Sequence, residues 1–158
     1  TIVRFEAHTE LTFIVMALTH DVPRNVDTTA LLSACAMVGD VNVFLTPHYG
    51  DDEDAPPSTY AEMEVMIAEH AWRRRGLGRE AVQMLLHYIT QAAGPPFPLD
   101  PSCLFARISM SNAPSIALFE QLGFQVVKEN TVFEEVEMTV VDAARLQTIA
   151  PVAVLAWP

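Results

Sequence analysis

Basic residues are scarce in this chain. Nine Lys and Arg stand against 20 Asp and Glu, for a formal net charge of −11, a field that repels phosphates over most of the surface and argues against nucleic-acid partners. Cysteine is scarcer still. Cys35 and Cys103 are the two present; they form no C-x-x-C pair and no His stands at zinc-finger spacing, which excludes a disulfide scaffold and a zinc ribbon. Both read as buried reduced thiols of a cytoplasmic protein. The five histidines, His8, His20, His48, His70 and His87, have no ligand spacing, and no metal site is expected. No apolar run approaches the roughly 20 residues of a membrane helix. The start Thr1-Ile2-Val3-Arg4-Phe5-Glu6 lacks the basic head and apolar stretch of a signal peptide. Membrane insertion and secretion are therefore not expected.

What is present suits a folded core. Hydrophobic residues make up 51% and charged residues 18% of 158 residues, the composition and length of one globular domain, 1–158, able to bury roughly two thirds of its unfolded surface. The negative field attracts cations, so an amine or a basic polypeptide fits as a partner better than an acidic molecule.

Period-two apolar patterning predicts strands at Leu11–Leu18, Met37–Leu45 and Tyr60–Glu69. Residues 24–34 form a connection or a short helix, and three prolines with Asp51-Asp52-Glu53-Asp54 make 47–59 a solvated loop. In the third strand Met63, Val65 and Ile67 share one face, while Glu62, Glu64 and Met66 share the other. The spacing of Leu77, Ala81, Leu85 and Tyr88 then predicts a helix, stopped by Gly94 and Pro95-Pro96. Leu104–Met110 is a fourth strand. Asn112 and Pro114 take the favoured cap and first-turn positions of a second helix, which Gly123 closes. Two last strands, Phe124–Val127 and Val132–Val141, flank a polar link at Lys128-Glu129-Asn130, and 142–158 is a tail without a predicted place. This order mixes hairpins with crossovers, and so predicts an α/β (α+β) fold with a mixed, mostly antiparallel sheet and flanking helices.

Chemistry concentrates at Trp72-Arg73-Arg74-Arg75-Gly76-Leu77-Gly78-Arg79, a strand-to-helix turn. There, backbone N–H groups and the helix dipole attract an anion, and the glycines let a phosphate come close. A P-loop is excluded because neither its spacing nor its lysine occurs. Gly76-Leu77-Gly78-Arg79-Glu80-Ala81 satisfies the dinucleotide pattern literally, yet a polar stretch from Glu69 to Arg75 separates it from the strand.

Arg73-x-x-Gly76-x-Gly78 resembles the coenzyme A pyrophosphate signature of the GCN5-related N-acetyltransferase (GNAT) superfamily. Asn112-x-x-Ser115-Ile116-x-Leu118-Phe119-Glu120-x-Leu122-Gly123-Phe124 resembles that family's second motif. The stretches 39–45, 64–69 and 132–136 further resemble the eukaryotic N-acetyltransferase 9-like subgroup, with coverage of about 11–141. The resemblance implies an acetyl-coenzyme A dependent transfer of acetyl to an amine, a small molecule or a polypeptide N-terminus, with a protein as acceptor or partner. The rival reading is a non-catalytic acyl-coenzyme A binding or interaction module. The family begins with a strand and two helices ahead of the strand at Leu11, and this chain starts too late to be expected to contain them. By resemblance, Met66, Ile67 and Ala68 pair with the pantetheine arm, and the amides from Arg74 through Arg75, Gly76, Leu77 and Gly78 to Arg79 hold the pyrophosphate. Arg73 positions the turn or touches a phosphate, while Asn112, Ser115 and Phe119 sit near the pantetheine and thioester.

Acyl transfer to an amine needs a base, an N–H donor for the developing oxyanion and a proton for the thiolate. Glu64, ahead of Glu62, is expected as base, and the backbone N–H groups near Met66 and Ile67 as oxyanion donors. Family members often carry a tyrosine where this chain has Phe119, which has no proton to give. Ser115, Ser111 or water is expected in its place, or the thiolate, with an ordinary pKa of about 8.5, leaves unassisted.

Overall fold

Alternation decides the sheet. The computed structural model describes residues 2–7, 10–23, 26–48, 58–92 and 96–150, with backbone alone at 2–7, 48 and 58. Strand β2 (Glu10–Leu18) buries Leu11, Phe13, Val15 and Ala17 and turns the intervening residues the other way, as period-two patterning requires. It is followed by α1 (Thr28–Ser33), β3 (Cys35–His48), β4 (Ser58–Ile67), α2 (Leu77–Gln91), β5 (Leu104–Ser109), α3 (Ala113–Gln121), β6 (Phe124–Asn130) and β7 (Glu135–Val140). With β1 (Ile2–Ala7) they form a seven-stranded sheet in the order β1-β2-β3-β4-β5-β7-β6. Only β4 and β5 run parallel. The mixed, mostly antiparallel sheet read from the sequence is the one observed.

The strand at 2–7 differs from expectation. It pairs antiparallel with β2, Ile2 opposite Val15 and Ala7 opposite Glu10, although no strand was expected ahead of Leu11. An edge strand offers a row of backbone groups that any extended segment can satisfy. The polar link expected at Lys128-Glu129-Asn130 is also corrected. These residues continue β6, and the turn falls at 131–134, where Asn130 Oδ1 accepts from the amides of Val132 (3.1 Å) and Phe133 (3.3 Å). Since β6 is the sheet's outer strand, polar side chains there stay in water at no desolvation cost. The undecided segment 24–34 contains helix α1, capped by the Asp27 side chain.

Register places the apolar residues of every inner strand on one face. Leu11 lies opposite Val43, Val43 opposite Met63, Ala61 opposite Leu104, and Ala106 opposite Met138. Helix α2 covers that face with Ala81, Val82, Leu85, Leu86 and Ile89, and α3 adds Phe119. Burying each large aliphatic chain contributes roughly 1.5–3 kcal/mol. The other face carries Thr12, Asp40, Asn42, Glu62, Glu64 and Arg107, and α1 buries no residue against it.

Residues 142–150 have a defined place. They cross the C-terminal end of α3 and reach the middle of α2, with the Gln147 amide donating to Leu122 O (2.9 Å), the Ile149 amide to Gln83 O (3.3 Å) and Leu146 packed on the core. Gly123, at φ +102°, lets this strap pass, since a Cβ there would press on the Arg145 carbonyl. The acidic stretch 51–54, the helix stop at 94–95 and the tail 151–158 lie outside the described residues. Both cysteines are free and half-buried; burial first, then the charge of Asp100, pushes the Cys103 thiol up to about 11.

Candidate active site

Strands β4 and β5 hold together for only two rungs, Ala61 with Leu104 and Glu62 with Phe105. Beyond them β4 follows β3 as far as Ile67, while β5 follows β7 as far as Ser109, and the two strands part. The Ala68 amide donates to Val38 O (2.9 Å), so strand alternation turns the backbone groups of Met66 and Glu64 toward β3 as well. Those of Val65 and the Ile67 amide face the gap. The Met66 amide, expected as an oxyanion donor, therefore points to β3, and the amides that face the gap are those of Val65 and Ile67.

The turn after β4 is built around its first arginine. Arg73 donates from Nε to Ile67 O (2.7 Å) and from Nη2 to Ala68 O (3.1 Å), closing the chain back on the strand end. Arg74 (φ +61°) and Gly76 (φ +87°) then take left-handed conformations, the second at a position where only glycine avoids strain. Gly76 caps α2 with no side chain, and the first helical bond runs from the Glu80 amide to Gly76 O (3.0 Å). The amides of Leu77, Gly78 and Arg79 therefore precede any intrahelical partner, at the positive end of a 15-residue helix.

Gly78 is informative for the opposite reason. Its φ is not left-handed, and a Cβ there would meet Ile67, Val65 and Leu118 at an ordinary 3.7–3.9 Å. Neither conformation nor crowding calls for glycine, which costs a helix about 1 kcal/mol relative to alanine. Space kept open beside unpaired amides fits a phosphate-bearing ligand.

A cleft of about 730 Å³ occupies this gap, within the usual range for small-molecule sites. Of the residues expected at the cofactor, Met66, Ile67, Arg73, Arg74, Gly76, Gly78, Arg79, Asn112 and Ser115 line it. Four do not. Ala68 lies past the strand end, bonded to Val38 and Arg73. The Arg75 guanidinium sits over the Trp72 ring at 5.0 Å, and Leu77 packs against the core. Phe119 is 2% exposed, edge-on to Phe124 at 5.1 Å, because α3 needs an apolar anchor on the sheet. Val65, Pro114, Ala117 and Leu118 line the cleft without having been singled out. Their signal was present in part, since Pro114, Ala117 and Leu118 fall inside the span of the second motif. Asn112 Oδ1 accepts from the Ser115 amide at 3.2 Å, capping α3.

The carboxylates stand on the other side of β4. Glu62 pairs with Arg107 Nη1 at 2.8 Å, and Arg107 Nε reaches Glu137 at 3.5 Å. Glu64 is exposed and has no hydrogen bond or ion pair among the described residues. Partial burial first, then the charges of Glu62, Asp40 and Glu10, hold its carboxyl above the usual carboxylate range. Met66 shares the face of Glu64 by register yet lines the cleft, so the cleft wraps around β4 toward the carboxylates.

Residues 6–125 match the Acetyltransferase (GNAT) domain family. The chain belongs to the GNAT acetyltransferase family. It is 35% identical over 151 residues to the N-acetyltransferase 9-like protein of Schizosaccharomyces pombe, covering 82% of this chain and 68% of that one. It is 44% identical over 102 residues to the alpha/beta-tubulin-N-acetyltransferase 9 of Homo sapiens, covering 65% of this chain and 43% of the relative. The chain thus spans about two thirds of the first relative's length and less than half of the second's. In fold this GNAT chain resembles Arabidopsis thaliana NAA60 in complex with acetyl-CoA, with TM-score 0.56 at 12% identity over 84% of this chain and 76% of that one.

Proposed function

We propose that this GNAT domain transfers acetyl from acetyl-coenzyme A to an amine carried by a polypeptide. The observation that carries the reading is the uncapped start of α2 opening into a cleft beside the unpaired edge of β4. Acetyl-coenzyme A supplies a thioester carbonyl and a phosphorylated handle. The amides of Leu77, Gly78 and Arg79, with the Arg74 and Arg79 side chains, take the phosphates. Val65 and Ile67 offer backbone groups to the amide-bearing arm, and the Ile67 amide is placed for the developing oxyanion.

Glu64 serves as base. Its raised affinity for protons suits the task, since a base titrating nearer neutrality accepts a proton more readily. As the amine nitrogen bonds to the acetyl carbon and the carbon–sulfur bond breaks, Glu64 takes the amine proton. Ser115, the hydroxyl lining the cleft, donates a hydrogen bond to the departing sulfur, which leaves as a thiolate and takes its proton from water; a thiol with an ordinary pKa of about 8.5 needs only this modest assistance. Glu62 is committed to Arg107. The polypeptide acceptor is supported by the tubulin acetyltransferase relative and by the net charge of −11, and the cytoplasmic setting by the two free cysteines.

The test is acetyl transfer from labelled acetyl-coenzyme A to a panel of tubulin-derived peptides and small amines, with Glu64→Gln alongside. Loss of a general base should lower kcat/KM about 10²–10⁴-fold and leave coenzyme A affinity unchanged. Full activity in the variant would move the base elsewhere. Tight coenzyme A binding with no turnover on any amine would favour the non-catalytic module.

A further inference from the structure

Arg107 stands at the fork where β4 leaves β5. The last rung between the strands is Glu62 with Phe105, and the Arg107 guanidinium, two residues on, reaches back across that rung to Glu62 at 2.8 Å. It lies over the Phe105 ring at 4.8 Å, and that ring in turn meets Tyr60 edge-on at 6.0 Å. On its other side Arg107 approaches Glu137 of β7 at 3.5 Å. One side chain therefore ties three strands together at the point where the active-site gap opens.

Carboxylates crowd this region. Glu64 feels Glu62 on its own strand, Asp40 from β3 and Glu10 from β2, with Glu137 farther along on β7. Arg107 is the cation paired with Glu62, while Lys128 of β6, in register with Glu137, stands beside the outer carboxylate. Sequence alone leaves Glu62 and Glu64 nearly equivalent on one face of β4. Arg107 breaks that equivalence by holding Glu62 against β5.

We propose that Arg107 is a positioning residue of the transfer site: its ion pair with Glu62 closes the fork of the sheet and reserves Glu64 as the carboxylate that meets the acceptor amine. This assignment rests on the reading of Glu64 as base, but its electrostatic part is measurable without turnover. Arginine suits the place because its planar fork engages two carboxylates and stacks on a ring at once, which lysine does not.

The deciding experiment is a carbon-13 NMR titration of the Glu64 carboxyl in the wild-type chain and in Arg107→Met, Arg107→Lys and Glu62→Gln. Removing Arg107 uncovers the charge of Glu62, so the Glu64 midpoint should rise by about half a pH unit or more. Removing Glu62 takes away a like charge, so the midpoint should fall. Arg107→Lys should lie between wild type and Arg107→Met. Opposite signs from the two variants separate the proposal from general damage to the strand, which would move both the same way. An unmoved midpoint, or shifts of one sign, would overturn it. Kinetics then test the dependence on the base. In Arg107→Met the acid limb of kcat/KM should move to higher pH together with the NMR midpoint. If Glu64→Gln retains the acid limb, the base assignment falls, whereas a lost limb in Glu64→Gln with no shift in Arg107→Met sinks the proposal alone.

Discussion

Two helices begin at the cleft, and they begin differently. Helix α3 is closed by its own chain: Asn112 Oδ1 takes the Ser115 amide, and Pro114 removes a donor from the first turn. Helix α2 starts at Gly76, in a left-handed conformation, with no side-chain cap. Capping satisfies amides that would otherwise seek an outside acceptor. A helix start left uncapped, beside a glycine that neither conformation nor crowding demands, is one prepared for an external anion. The capped start supplies shape instead, and sets the cleft's second wall.

The comparison is broken most directly by filling the open start. Gly78→Trp should cost coenzyme A more than about 100-fold in affinity, because the new ring occupies the space facing Ile67 and Leu118, a loss of roughly 2.7 kcal/mol in ligand stabilisation when ligand is at 100 times its dissociation constant. Thermal shift with and without coenzyme A reads this, and an unchanged ligand response would remove the anion site from the first turn of α2.

Next in size is Arg73→Ala. Two hydrogen bonds to the carbonyls of Ile67 and Ala68 are lost, and each contributes about 0.5–1.5 kcal/mol. The turn should loosen, lowering both stability and coenzyme A affinity, the latter by about tenfold. Calorimetry that found affinity reduced with stability intact would make Arg73 a phosphate contact instead.

The smallest effect belongs to the capped start. Asn112→Ala should remove about 1 kcal/mol of stability, a fall in melting temperature of roughly 2–4 °C for a chain of this size, while coenzyme A affinity changes by less than about threefold. A larger loss of affinity than of stability would show Asn112 acting on the ligand and blur the distinction between the two helix starts.

The strands that build the cleft were legible because their two sides differ in polarity: Met63, Val65 and Ile67 against Glu62, Glu64 and Met66 is a pattern that only a half-covered strand produces. The arginine-glycine turn was legible because its spacing is local. Much of what escaped depends on a neighbour distant in sequence. β1 is the exception, since it pairs with the next strand along the chain, Ala7 opposite Glu10, and Val3, Phe5 and Ala7 alternate with Arg4 and Glu6 as strand patterning requires. What separates Glu62 from Glu64 is an ion pair with Arg107, 45 residues beyond Glu62. Phe119 reads as a cleft residue by motif and as a core residue by packing, and packing prevails because the α3–β6 contact has no other large ring to set against Phe124. Val65 shares the face of Met63 and Ile67 by its side chain, whereas its backbone faces the gap.

Gly39 lies on β3, opposite Ile67, and does not itself line the cleft. A Cβ at this position would overlap the Met66 carbonyl oxygen and come within 2.9 Å of the Ile67 Cα, both atoms of backbone that no rotamer change can move. In a saturation library scored for acetylation, position 39 should therefore tolerate nothing but glycine and look as indispensable as a residue that handles protons. Its intolerance would come from displacing the strand end that bears Met66 and Ile67, so the depleted variants should fail to fold into the active shape rather than bind substrates poorly.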